Sequence, residues 1–377
     1  MQAGCAQQSR ITLPFCNMCD IDEPFKKAGN DSCARALQWF SPPAGACKAS
    51  AMDRAKSLSF WATLGGDVAI KPVADLTSEL SLGEGRTNEN FIATASDGVR
   101  YFVRIGGDLP AYGVTRAKEQ AASRAAAAAG VGPRVHHSEK DAMIVDFCPG
   151  KTLTDAEFRA ACSASPAAAD AALLVRVSTT LRKLHAIEVP EEMTAVASAG
   201  WAPADVRKWI ALAEQGGYTR LPMIARAREL LEELEAAAGP PSTPPAFCHY
   251  DLLPDNLVVG RGGDEGVWVI DFEYAAAGQP LMDLAVMAMG CDLSAAEEGN
   301  LLAAYHAASA PAPLAPPDGL ARLFACLKVL ACLRETMWGV VAEVSGTSAL
   351  APEEAIAYAD KNYARLTAAH AAFFGGQ

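Results

Sequence analysis

With 377 residues, 51% of them hydrophobic, the chain can bury one large core or two modest lobes joined by a hinge, and its punctuation favours two lobes. A formal net charge of −12 excludes the basic surface that a nucleic-acid partner selects and suits a cationic small substrate. No run of roughly 18 uncharged apolar residues is available to span a bilayer; the most apolar long segment, 320–344, is broken by Arg322, Lys328, Arg334, Glu335 and Glu343 and reads as a buried helix.

Residues 1–51 show no sustained period and contain Pro14, Pro24, Pro42 and Pro43, so they are expected to form a poorly ordered extension. Five of the eleven cysteines fall here, at Cys5, Cys16, Cys19, Cys33 and Cys47. The Cys16–Cys19 pair lacks the second pair or nearby histidine that a zinc site needs. Asp20, Asp22, Glu23 and Asp31 are unlike a transit peptide. The remaining cysteines sit in apolar runs where they behave as small hydrophobes, which fits a reducing, cytoplasmic setting.

A small lobe is expected over 52–148. After a short helix ending near Leu64, LSLGEGRTNENFIATASDGVRYFVRI reads as two strands joined by a Ser-Asp-Gly turn. GVTRAKEQAASRAAAAAG is a helix stopped by Gly130, followed by VGPRVHH and the strand-like MIVDFC. Pro149 and Gly150 then break regular structure at a hinge, and 149–377 forms the larger lobe. That lobe is mainly helical, with an amphipathic helix over 170–185 whose apolar face holds Leu173, Leu174, Val177, Leu181 and Leu184. GPPSTPP is a rigid connector that isolates AFCHYDLLPDNLVVGRGGDEGVWVIDFEY as a loop and β-hairpin among the helices.

This isolated segment carries the chemistry. Phosphoryl transfer requires a carboxylate to orient the attacking hydroxyl and take its proton, together with oxygen ligands for the Mg2+ that bridges ATP phosphates. Asp251 suits the first role. Asn256, five positions later beyond a Pro-containing loop, and Asp271, at the end of an apolar strand, suit the second. His249 is expected to hold the loop by hydrogen bonds, and Asp255 is read as an ordinary turn residue.

With these residues in place, the chain resembles the choline/ethanolamine kinase family within the aminoglycoside phosphotransferase superfamily over roughly residues 52–370. The resemblance implies an α+β, two-lobed, protein-kinase-like fold. It places Arg104 of VRYFVRI on the ATP phosphates with Glu119 as its acidic partner, and GEGRTNENF, with Thr87 and Asn88, as the phosphate-covering turn. The segment from Asp146 to Cys148 corresponds to the one that hydrogen-bonds adenine through its backbone, and Asp283 to a structural aspartate. In the C-terminal helices, Trp338 of CLRETMWG and Tyr358 match the aromatic faces that recognise an ammonium, which cannot be held by hydrogen bonds when it is quaternary. Glu273 and Asp292 are candidates for negative charge beside it. One departure stands out, since AAAGQPLMDLAVMAMGCDLS lacks the acidic and aromatic residues that eukaryotic choline kinases carry after DFEY.

The resulting expectation is transfer of the γ-phosphoryl group of ATP, with Mg2+, to the hydroxyl of choline. Ethanolamine, an aminoglycoside or thiamine is the alternative acceptor, and a nucleotide-binding pseudokinase or scaffold the alternative class. Neither nucleic acid nor a membrane span is expected, and a homodimer is compatible with the reading.

Overall fold

The computed structural model describes residues 50–73, 88–164, 169–194, 201–260, 266–308, 319–345 and 350–375. The alternating β1 (Val68–Pro72) and the more continuously apolar β2 (Glu89–Ala95) and β3 (Arg100–Ile105) build an antiparallel sheet that continues into β4 (Val135–Glu139) and β5 (Ala142–Asp146). Its strand order is β1-β2-β3-β5-β4. The β2–β3 turn uses Gly98 at φ +85°, and the Asp97 carboxylate accepts from the Val99 amide at 3.0 Å, so the Ser-Asp-Gly signal is realised as a hairpin. β1 was not anticipated from the sequence. One face of this sheet packs on α1 (Ala51–Lys56) and the short 3-10 helix Ser59–Thr63 through Phe91, Val103, Ile105 and Ile144. Following β3 in the chain, α2 (Arg116–Ala128) joins the packing of the helical lobe through Ala122 and Ala126.

The helical lobe contains α3 (Asp155–Ser163), α4 (Ala169–His185), α5 (Glu191–Thr194), α6 (Ala204–Gln215), α7 (Ala227–Ala238), α8 (Pro280–Gly290), α9 (Ala295–Ala307), α10 (Leu320–Ser345) and α11 (Pro352–Phe374). Between α7 and α8 lie β7 (Ala246–Cys248), β8 (Leu257–Gly260), β9 (Val267–Val269) and β10 (Ala276–Gly278). β6 (Gly150–Thr152), immediately after the expected hinge at Pro149, pairs with β8, and β8 pairs with β9, in a three-stranded antiparallel sheet. β7 and β10 pair separately. The loop and hairpin expected among helices are therefore present, with β6 as an added partner. α10 is buried on nearly all sides, which is why its sequence is apolar nearly all round. The first 49 residues, the Cys16–Cys19 pair and Thr87 with most of the glycine turn before it lie outside the described residues.

Candidate active site

A cleft of about 470 Å³ opens between the five-stranded sheet and the helical lobe. Its floor is the segment after β7. Asp283, in the first turn of α8, accepts from the backbone amides of His249 at 2.7 Å and Tyr250 at 2.8 Å, and His185 Nε2 lies 3.1 Å from the same carboxylate. Burial alone would raise the Asp283 carboxyl, but these hydrogen bonds hold it below the usual carboxylate range. Tyr250 takes φ +61°, and a side chain at Gly278 would strike its hydroxyl, since an added Cβ would sit 1.6 Å from it. The loop is thus clamped by α8 and β10.

His249 is fully buried. Its Nδ1 accepts from the Asp251 amide at 3.2 Å, so the proton resides on Nε2, which donates to the Ile270 carbonyl at 2.9 Å. Burial lowers its pKa. The ring ties the Asp251 loop to the strand end before Asp271, the supporting part expected of it. Asn256 Nδ2 donates to the Asp251 carbonyl at 2.7 Å and lies 3.3 Å from its carboxylate. Asp271 is held at φ +63°, a costly conformation for a residue with a Cβ, which aims it away from its strand. Asp251, Asn256 and Asp271 all line the cleft. Asp251 is raised to about 7 by burial and then by the Glu335 charge, and Asp271 to about 7 by burial and then by Glu273. An amide and a carboxylate oxygen on the wall of an acidic cleft are hard ligands of the kind Mg2+ selects.

On the small-lobe side Arg104 forms an ion pair with Glu119. Burial, and then the charge of Arg116, bring Arg104 down to about 10, so it remains charged at neutral pH. Glu119 is shared with Arg116, whose Nη1 lies 2.6 Å from it and 3.3 Å from Glu273. Asn88 Nδ2 also donates to Glu273, at 3.1 Å. Glu273 was expected near the acceptor's ammonium; instead it is 3% exposed and held by two small-lobe donors. At the far end of the cleft, Asp146 and Cys148 line the wall with Phe102, Met143 and Val145. The Asp146 amide donates to the Arg134 carbonyl at 2.9 Å, which fixes this segment against the residue before β4.

Opposite, the wall is aromatic. Trp338 of α10 and Tyr358 of α11 meet edge to face with centroids 4.9 Å apart. Gly339 permits this, because a Cβ there would lie 2.8 Å from the Ala359 Cα. Trp338 Nε1 donates to the Tyr274 hydroxyl at 2.8 Å, and the Tyr358 hydroxyl donates to Glu335 at 2.6 Å. Tyr274, Arg334 and Glu335 line the same cleft and were missed from the sequence. Glu335 stands three residues before Trp338 on a helix, and Arg116 three before Glu119, spacings that put each on its partner's face. Asp292, proposed for substrate binding, is misplaced: it follows the end of α8 at the surface, where Arg365 grips its carboxylate at 2.8 Å, and it is absent from the cleft wall.

A family model described as the phosphotransferase enzyme family matches residues 80–317, more than half of the chain. The chain belongs to the phosphotransferase enzyme family. In fold this phosphotransferase is similar to a choline/ethanolamine kinase family protein from Mesorhizobium loti (22% identity, TM-score 0.60, covering 85% of this chain and 93% of that one). It is likewise similar to Plasmodium vivax ethanolamine kinase (15%, 0.63, 92% and 96%) and to choline kinase LicA from Streptococcus pneumoniae (20%, 0.58, 79% and 97%), which is also known in complex with AMP. No curated protein matches the chain. The small antiparallel sheet lobe and helical lobe of this phosphotransferase give it the two-lobed, protein-kinase-like architecture expected from the sequence.

Proposed function

We propose that the protein transfers the γ-phosphoryl group of ATP to the hydroxyl of a small amino alcohol of the choline type, choline being its simplest fully methylated member. The observation that carries this reading is one cleft shared by Asp251, Asn256, Asp271, Arg104 and the Trp338–Tyr358 pair. Nucleotide binding by the fold relative LicA and the choline and ethanolamine kinase fold relatives support it.

In this mechanism Asp251 orients the acceptor hydroxyl and takes its proton as the oxygen attacks phosphorus. Asn256 and Asp271 hold Mg2+, which when bound supplies charge neutralisation to the phosphates. Arg104, fixed by Glu119, grips phosphate oxygens through its fork. Trp338, Tyr358 and Tyr274 offer aromatic faces to the ammonium, and Glu335 adds negative charge. His249 and Asp283 keep the loop in register. Catalysis is then chiefly positioning and electrostatic stabilisation. An aminoglycoside or thiamine would call for a wall of hydrogen-bonding groups where these aromatic rings stand, and a pseudokinase would not need the complete Asp251, Asn256 and Asp271 set.

The test is ADP release with Mg2+–ATP over choline, ethanolamine, thiamine and an aminoglycoside. Choline or ethanolamine should raise ADP release, and Asp251→Asn should lower it by roughly 10²–10⁴-fold. If no alcohol raises release above the no-acceptor background, the reading is wrong.

A further inference from the structure

The acceptor side of the cleft carries a cation as well as a carboxylate. Arg334 lines this wall with 1% of its side chain exposed. Its Nη1 donates to Glu335 at 2.5 Å. Two rings lie beside it, with the guanidinium carbon 5.0 Å from the Tyr274 centroid and 5.5 Å from that of Trp209. Nε and Nη2 are buried and have no acceptor among the described residues. These two nitrogens share one edge of the guanidinium, the edge that donates two parallel hydrogen bonds to a carboxylate. An aromatic ring is a weak acceptor and cannot take two parallel hydrogen bonds as a carboxylate does. Leaving two buried charged donors without acceptors is costly for a residue that only supports the fold.

Arg334 and Glu335 share α10 and the cleft wall with Trp338, whereas Arg104, Arg116 and Glu273 cluster with Glu119 on the small-lobe side. Arg334 therefore belongs with the acceptor and apart from the phosphates. Together Glu335 and Arg334 form a dipolar wall, and such a wall is matched by a molecule bearing both signs of charge.

Resting on the phosphoryl-transfer reading above, we infer that the acceptor is an amino alcohol that also carries a carboxylate, bound side-on by the Nε and Nη2 edge of Arg334. Its ammonium faces Glu335 and the aromatic rings, and its hydroxyl faces Asp251. In the transfer the hydroxyl oxygen forms the new bond to the γ-phosphorus, the bond from that phosphorus to the β–γ bridging oxygen breaks, ADP leaves, and the hydroxyl proton passes to Asp251. An acceptor with an ammonium alone leaves the arginine edge unmet.

Two matched pairs test this: ethanolamine against L-serine, and choline against N,N,N-trimethylserine, each pair differing by one carboxylate on the carbon that bears nitrogen. ADP release and calorimetric binding, the latter with Mg2+ and a non-hydrolysable ATP analogue, are measured for the wild type, Arg334→Lys and Arg334→Met. In the wild type the carboxylated member should be favoured by about tenfold or more in kcat/KM and in affinity. In either variant the ratio within each pair should fall toward one. Equal or better use of the uncarboxylated members by the wild type overturns the inference, whether or not the variants fold. If no acceptor is phosphorylated, the phosphoryl-transfer reading fails while the binding ratio still decides this inference, and binding of neither member overturns it.

Discussion

Arg116 Nη1 of the small-lobe helix α2 lies 3.3 Å from the Glu273 carboxylate, which follows Asp271 by two residues in the helical lobe. With Asn88 on the same carboxylate oxygen, Glu273 ties the two walls of the cleft beside the proposed metal ligand. Removing one partner of a buried ion pair leaves an uncompensated charge. Glu273→Ala should therefore lower the unfolding free energy by about 3 kcal/mol, measured by urea denaturation. Glu273→Gln, which keeps a hydrogen-bond acceptor, should lose less. If Glu273 orients Asp271, the Gln variant should also lower kcat more than it raises the KM for the acceptor.

The contact between α10 and α11 at Gly339 predicts a steric effect. Gly339→Ala places a methyl against Ala359 and should cost roughly 1–3 kcal/mol of stability. The same displacement should part Trp338 from Tyr358, so the acceptor KM should rise while the KM for ATP changes little. Steady-state kinetics with each substrate varied in turn separates the two.

Trp338 is 7% exposed and faces the cleft. If it contacts the ammonium, Trp338→Leu removes an aromatic face worth roughly 0.5–2 kcal/mol, or about 2- to 30-fold in the acceptor KM. Neutral alcohols of similar size should show no such change. An equal loss for charged and neutral acceptors would assign Trp338 to packing alone.

Acid stability is predicted from Asp283. Its folded-state pKa is lowered, so the stabilisation it supplies is fully present above the ordinary aspartate value of about 3.9 and is lost as pH falls through the lower folded value. The melting temperature of the wild type should thus fall steeply below about pH 4. In Asp283→Asn the protein should start less stable at neutral pH and show a shallower dependence in that acid range. Parallel pH slopes for the two proteins would remove Asp283 as the source.

The local part of the site was legible because its spacing is local. HYDLLPDN and the Asp271 strand end carry Asp251, Asn256 and Asp271, the residues proposed for catalysis, within one loop and hairpin, and the turn glycine at Gly98 and the stop at Gly130 mark the flanking elements. The acceptor wall was only half legible. Trp338 and Tyr358 were found by resemblance, whereas Tyr274, Arg334 and Glu335 join them through the packing of α10 on α11 and on the strand-end segment, which no sequence period encodes. Glu273 and Asp292 illustrate the converse. Proximity along the chain to Asp271 and to α8 suggested an acidic pocket, but Arg116 and Arg365, distant in sequence, claim those carboxylates. β1 escaped notice because its burial alternates over only five residues, among them Ala69 and a terminal proline, too short a run to stand out.

α10 supplies Arg334, Glu335 and Trp338 to the cleft while nearly every other side chain along its middle is locked into the main hydrophobic core. That wall has no freedom to flex or to be rebuilt by inserting residues, as a surface loop can be. A shift of substrate range in this protein or its descendants must therefore come from exchanging individual side chains on an immobile rod, one chemical function at a time.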